Sequence, residues 1–506
     1  MKLAIYHTTD MHGHVLPTNY VEYQELGMLK ILSFIDEDRK NYDHSLVLDG
    51  GDLIQGTVLT SFLAKNPDEN NPILKLLDNF SYDAYVMGNH EFNYGLDYLL
   101  NSYHRVSDKI LNSNIENLDF KSDPYKIFDF EGFRIAVFGA TTSYIPNWEQ
   151  EKNIKDLVFH NPIEMYKKYE AEMKENSDMI IVLYHGGFEK SLDEHFIPTE
   201  ILRKENQGSE FLETFDSIDI MLTGHQHRGF ITKIKDVICS QPINNARNFT
   251  KIVYDTESNE WSYELIDITS MDIEIKDKYE KIFDETNKDL DEYLNQVIGH
   301  FDESIRLGDK FDVRLNGHPY INFLHEVQLD ALEADFSSLS LFDQAIGFDK
   351  EVTIKDVLVN YPYPNTLKVM EITGEDLKEA IEISTNYFKL DENDNIILNP
   401  RFQVPKVRNY IYDFFYGLDY VVDLGNDRGK RVVSMKKDGQ DIDMDKTYRI
   451  IMNNYRASNT AEYPCYQDKK IIDETSLDMS ELMIAYISKK KNLKVNKTKN
   501  FIISNW

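Results

Sequence analysis

Five apolar stretches of this 506-residue chain each stop at residues able to ligate a metal, and that pattern restricts the fold more than any other feature. The first, beginning at Met1-Lys2-Leu3-Ala4-Ile5-Tyr6, runs into Thr9-Asp10-Met11-His12. Ser45-Leu46-Val47-Leu48 ends in Asp49-Gly50-Gly51-Asp52, and Tyr85-Val86-Met87 ends in Gly88-Asn89-His90-Glu91. Ile180-Ile181-Val182-Leu183 leads to Tyr184-His185-Gly186-Gly187, and Ile220-Met221-Leu222 leads to Thr223-Gly224-His225-Gln226-His227. Through about residue 270 such runs, with Ile135-Ala136-Val137-Phe138 among them, alternate with longer amphipathic stretches, the pattern of an α/β domain. In open α/β sheets ligands gather beyond the carboxyl ends of the strands. The expectation is therefore one sheet edge crowded with Asp, Asn and His. Gly51, Gly88, Gly186 and Gly224 sit beside these candidates, where a close backbone approach favours a residue without a side chain.

Imidazole and carboxylate donors without thiolate suit two adjacent divalent ions such as manganese, zinc or iron. One carboxylate must bridge such a pair, and a hydroxide held between the ions is a nucleophile at neutral pH. A lone Asp-x-His or Gly-Asp is usually a turn or a cap. Gly-Asn-His-Glu is more specific, and Gly-His-x-His after an apolar strand more so; the reading rests on all of them occurring together in this order. His44, His104, His160, His195, His300, His318 and His325 lie outside the constellation and are expected at the surface or in packing. His7 and His14 flank the first motif as candidate supports for its ligands.

The rest of the composition narrows the partners. A net charge of −32 excludes a protein that grips long nucleic acid, which needs a basic face, but not one that takes a small anion through bound cations. Cys239 and Cys465 are the only cysteines, too far apart for a thiolate metal site or a disulfide framework. No apolar run is long enough to cross a membrane. The N-terminus already reads as a strand rather than a signal peptide, so a cytoplasmic protein is expected.

The length calls for two domains. The boundaries expected are 1–272, a linking helix over 273–300, and a second α/β region over 301–506. The linking helix rests on Tyr279, Ile282, Phe283, Leu290, Tyr293, Leu294, Val297 and Ile298 falling on one helical face. The second region includes a helix near Pro319–Ala331.

With these motifs the chain resembles the calcineurin-like metallophosphatases, and more closely their nucleotidase branch. Tyr361-Pro362-Tyr363-Pro364-Asn365-Thr366-Leu367 and Asn453-Asn454-Tyr455-Arg456-Ala457 are similar to markers of that family's nucleotide-recognition domain. The resemblance implies a four-layer α/β/β/α sandwich followed by a linking helix and a smaller α/β substrate-binding domain. It implies that Asp10, His12 and His227 hold one metal, that Asn89, His185 and His225 hold the other, and that Asp52 bridges. It places His90 against the phosphoryl group, with Asn93 as its catalytic partner. It also implies a base clamped between two rings, for which Tyr412 and Tyr463 are the candidates, with Phe414 and Phe415 as rivals for the first position.

Two departures bear on the substrate. The 5′-nucleotidase branch carries Asp three residues after the catalytic histidine, whereas Asn93 resembles the branch acting on 2′,3′-cyclic nucleotides and 3′-nucleotides. An amide brings no net charge with which to stabilise an imidazolium. Second, Ser458-Asn459-Thr460-Ala461-Glu462-Tyr463 stands where the family has a glycine-rich turn. The function implied is metal-dependent hydrolysis of nucleotide phosphoesters, with a small nucleotide as substrate and nucleotide breakdown as the outcome. A phosphatase or phosphodiesterase for non-nucleotide esters, and a nucleotide-binding protein with impaired catalysis, are the alternatives.

Overall fold

Successive side chains of a strand point to opposite faces, so an unbroken apolar run requires a sheet covered on both sides. Leu3, Ala4, Ile5 and Tyr6 are all fully buried, as are Ile181, Val182 and Leu183, and the runs do form such sheets. The computed structural model describes all residues except 21, 68–70, 80–81, 148, 150, 194, 200–201, 362, 364, 404–407, 459–461 and 506. It divides into two units, Met1–Leu290 and Asp291–Trp506.

The first unit is built on two sheets. One has the order Glu260–Asp267, Asn248–Asp255, Lys2–Thr8, His44–Asp49, Ala84–Tyr85, with the last three strands parallel. The other has the order Phe230–Ile234, Val237–Gln241, Ile220–Thr223, Met179–His185, Phe133–Thr141, Tyr125–Phe130, parallel through its four central strands. Leu3, Ile5, Leu46 and Leu48 of the first sheet pack on Ile135, Val137, Ile181, Leu183, Ile220 and Leu222 of the second, forming the core between them. The alternate residues Phe138, Val182 and Tyr184 pack outward with Tyr166 and Met173 of the helix Pro162–Asn176 and with Phe211 of the helix Gly208–Thr214. On the far side of the first sheet, Phe34 of the helix Met28–Asp38 meets Phe249 edge to face. The expected four-layer α/β/β/α order is therefore present.

The single linking helix expected over 273–300 is not. A short helix, Asp277–Glu280, is followed by another, Asp284–Leu294, and then by a strand, Val297–Phe301. Part of the expected apolar face goes inside, but Val297 is 45% exposed, and local anchors break the run. Tyr279 and Phe283 are fully buried, while Lys276 pairs with Glu37 at 2.5 Å and its backbone N–H donates to Ser33 at 3.0 Å. These contacts pin the segment to the helix Met28–Asp38 before it can run on.

The second unit centres on a five-stranded sheet ordered Asp413–Tyr416, Phe336–Ser340, Thr447–Asn453, Thr366–Thr373, Ile471–Asp478. The helices Pro319–Ala331, Gly374–Thr385 and Met479–Lys490 contribute to its core. Two of them start at reciprocal caps, Thr373 with Asp376 and Asp478 with Glu481, in which each partner satisfies an orphan N–H of the first turn. Among the described residues no helix is long and apolar enough to cross a membrane.

Candidate metal centre

All seven expected ligands lie at or just beyond the C-terminal ends of parallel strands, on the shared edge of the two sheets. Asp10 and His12 follow Lys2–Thr8, Asp52 follows His44–Asp49, and Asn89 follows Ala84–Tyr85. His185 ends Met179–His185, while His225 and His227 follow Ile220–Thr223. Asp10, Asp52 and His185 are at most 1% exposed.

Their donor atoms converge. Asp10, His12 and His227 each offer an atom within 4.8 Å of the others, as do Asp52, His185 and His225, and also His12, Asp52 and His90. His12 Nε2 and His227 Nε2 are 3.1 Å apart, and His227 Nε2 is 3.2 Å from Asp10 Oδ1. On the other side, Asp52 Oδ2 is 3.2 Å from His185 Nε2, and Asn89 Oδ1 lies 3.2 Å from His185 Nε2 and 2.8 Å from His225 Nδ1. Buried carboxylates facing imidazole nitrogens, with an amide oxygen and no thiolate, form a donor set that fits divalent cations.

Protonation follows the same logic. Burial pushes His12 down to about 3, so its ring is neutral with a lone pair to offer. Burial would raise Asp10, but the hydrogen bond with His227 and the charge of His185 hold it at about 2. For His185 burial acts downward and the Asp52 charge more than offsets it, to about 10. A cation at Asp52 would take the place of that proton, since metal binding and proton release are linked.

The backbone is bent to make this possible. Asp10 (φ 52°), His12 (φ 46°), Asp52 (φ 58°), His225 (φ 73°) and His227 (φ 55°) all occupy the left-handed region. Residues with a Cβ rarely sit there, at a cost of about 1 kcal/mol or more each. Two glycines leave the necessary space: a Cβ on Gly88 would lie 2.2 Å from Asp52 Oδ1, and one on Gly224 would lie 2.3 Å from Thr9 Oγ1 and 2.7 Å from Asp10 Oδ2.

The chain belongs to the calcineurin-like phosphoesterase family. That family's model matches residues 3–229, and the model of the 5′-nucleotidase C-terminal domain matches residues 297–468. Over their whole lengths this chain and a Staphylococcus aureus protein, provisionally assigned as a 5′-nucleotidase and solved with alpha-ketoglutarate, share 34% identity with a TM-score of 0.73. The 2′,3′-cyclic-nucleotide 2′-phosphodiesterase/3′-nucleotidase of Haemophilus influenzae is 24% identical over 99% of this chain and 87% of its own length. The trifunctional nucleotide phosphoesterase YfkN of Bacillus subtilis is 23% identical over 99% of this chain, which spans only 39% of that longer protein.

Around the candidate ligands of this phosphoesterase stand groups that motif reading missed. Glu91, fully buried, accepts hydrogen bonds from the backbone N–H of Asp52 (2.9 Å), Leu53 (2.6 Å) and Gly88 (2.6 Å), tying two ligand loops together. Glu205 Oε1 lies 3.2 Å from His225 Nε2, the ring nitrogen opposite the one facing Asn89. Such a carboxylate orients an imidazole ligand and raises its basicity. Glu205→Ala should weaken cation binding by roughly 10–100-fold, read by calorimetric titration of the metal-stripped protein.

Of the two flanking histidines, His14 bonds back to the carbonyls of Met11 and His12 at 3.2 and 3.1 Å, bracing the first ligand loop. His7 is fully buried, and among the described residues neither of its ring nitrogens has a hydrogen-bond partner. Among the histidines outside the constellation, His160 pairs with Glu116, His318 caps the helix Pro319–Ala331, and His325 is buried on Ser337.

The expected base clamp is corrected. Tyr412 is 1% exposed among Tyr387, Phe388 and Phe414, so it offers no face to a base. Tyr463 is fully buried: it stacks on Tyr466 at 5.5 Å, lies under the Arg456 guanidinium at 4.2 Å, and donates its hydroxyl to the Ile411 carbonyl. Phe414 and Phe415 are each 1% exposed as well. The physical reason is demand for core: the strand Asp413–Tyr416 lies at the edge of the central sheet, and rings beside it are drawn inward. The altered stretch Asn459–Ala461 lies outside the described residues. Nearby, Tyr455 keeps an exposed ring, 6.4 Å from that of Tyr410.

Proposed function

We propose that this protein hydrolyses nucleotide phosphoesters at a two-cation centre. Asp10, His12 and His227 hold one cation; Asn89, His185 and His225 hold the other; Asp52 bridges. The observation that carries this reading is the position of Asp52, which groups with His12 and His90 on one side and with His185 and His225 on the other. Its Oδ2 lies 3.2 Å from His185 Nε2 and 4.0 Å from His12 Nε2. When bound, a cation pair of manganese, zinc or iron supplies a nucleophile from water and neutralises the phosphoryl oxygens.

The chain's own part is positioning. His90 is anchored by its backbone N–H, which donates to Asp52 Oδ1 at 2.8 Å, and its ring lies 5.2 Å from that of His12. It belongs to the reacting group rather than to a cation, and serves the phosphoryl charge or the departing oxygen. Asn93 in place of a carboxylate, together with likeness to the Haemophilus enzyme, favours 2′,3′-cyclic nucleotides and 3′-nucleotides over 5′-monophosphates.

Phosphate release from 5′- and 3′-nucleotides, and ring opening of 2′,3′-cyclic nucleotides followed by chromatography, with several divalent metals supplied, test the proposal. Turnover of the nucleotides, fastest on the cyclic and 3′ forms, is expected; a chain inert to all of them, yet loaded with metal, overturns it. His90→Asn should keep its metal and lose roughly 10²–10³-fold in turnover, the cost of one stabilising donor. Metal loss in that variant, measured by elemental analysis, would make His90 a ligand instead.

A further inference from the structure

We infer that Glu149 is a positioning residue: acting through Asn93, it fixes which nitrogen of His90 exchanges a proton with the reacting group. The inference rests on the placement of His90 at the phosphoryl group proposed above. Asn93 Nδ2 donates to Glu149 Oε2 at 2.7 Å, and Asn93 Oδ1 is 2.6 Å from His90 Nδ1.

The polarity of this chain is set from its far end. An ionised carboxylate only accepts, so the side of the Asn93 amide that meets Glu149 must be its NH2. The other side is then the carbonyl oxygen, which also only accepts, so His90 Nδ1 must carry hydrogen. Nε2 is left as the one ring atom able to give or take a proton. During hydrolysis a water oxygen bonds to phosphorus and gives up a proton to solvent, the bond from phosphorus to the sugar oxygen breaks, and that oxygen takes a proton from Nε2 of the doubly protonated His90 ring, which is left as the Nδ1–H tautomer. Solvent then reprotonates Nε2.

An amide alone cannot impose this. Its two ends are nearly the same size, and a flipped Asn93 would offer NH2 to Nδ1 and reverse the tautomer. Glu149 removes that freedom. It is itself held, because its Oε1 accepts from Asn153 Nδ2 at 2.8 Å. The charge that a carboxylate at position 93 would bring directly is thus supplied one residue further out.

A tether for the loop around Glu149 is the plainer role, and it would affect every substrate alike. The relay would not. A sugar alkoxide needs a proton on leaving, whereas nitrophenolate does not. In the full chain with metal supplied, Glu149→Ala should lower kcat for 3′-AMP by about tenfold or more, part of the roughly 10²–10⁴-fold that general acid–base catalysis contributes. KM should hold, and p-nitrophenyl phosphate should be turned over nearly as before. N93D alone sets two carboxylates against each other; N93D/E149Q restores a donor–acceptor pair and should recover the 3′-AMP rate above that of either single variant. Equal losses on both esters, or no recovery in the pair, overturn the relay.

A readout apart from activity separates this from the function itself. The imidazole ¹⁵N shifts of the neutral His90 ring, read at the alkaline end of a pH series and assigned by subtraction of the His90→Asn spectrum, should report hydrogen on Nδ1 in the wild type. In Glu149→Ala they should report a mixture of tautomers. Spectra that do not differ sink the relay whatever the substrate proves to be, while a wild type inert to nucleotides but with the expected shifts sinks only the proposed function.

Discussion

Asp52→Asn is expected to cost more activity than any other conservative change at the centre. The substitution keeps size and shape but removes the charge shared by both halves of the ligand set, where Asp52 Oδ2 faces His185 Nε2 at 3.2 Å. It also weakens the acceptor for the His90 N–H, 2.8 Å from Asp52 Oδ1. The loss in kcat should therefore exceed the roughly 10²–10³-fold of removing a single stabilising donor, and metal content should fall below that of the wild type. Turnover assays with elemental analysis on the same preparation check both. A variant with full metal and near-native turnover would show that Asp52 is not the bridge.

The second large effect concerns stability. Glu91→Ala strips the acceptor from the N–H groups of Asp52, Leu53 and Gly88 at a fully buried position. Each buried donor left unsatisfied costs about 1–3 kcal/mol, so the variant should lose about 3–9 kcal/mol in all. Denaturant titration of wild type and variant, both stripped of metal, reads this without interference from cation binding. Burial and the neighbouring Asp52 charge raise the Glu91 carboxyl, and the backbone N–H donors of Leu53 and Asp52 act against that rise. A change below about 1 kcal/mol would mean that the loops reorganise around the gap.

The convergence of the candidate ligands was legible in the sequence because a buried parallel strand has an unmistakable apolar run and delivers its next few residues to one edge. Asp10, His12, Asp52, Asn89, His185, His225 and His227 each follow such a run directly. Glu91, Glu149 and Glu205 carry no comparable signal. Glu91 stands inside a motif that reports its neighbours, and the other two lie in loops whose approach to His90 and His225 depends on tertiary structure alone. Tyr412 and Tyr463 failed for another reason: position in a motif says nothing about which way a ring faces, and in a ring-rich chain the core claims most of them. The linking segment failed because periodicity records which residues want burial and not where Lys276 will be tethered.

Five left-handed residues with side chains at one site have a consequence for the protein's history. At each of them glycine would relieve the backbone and raise the stability of the fold, yet glycine ligates nothing. The centre is thus a place where the folded chain and the working enzyme want different sequences. A lineage released from selection for hydrolysis should drift there early, toward glycine and asparagine, while the strands beneath remain as they are.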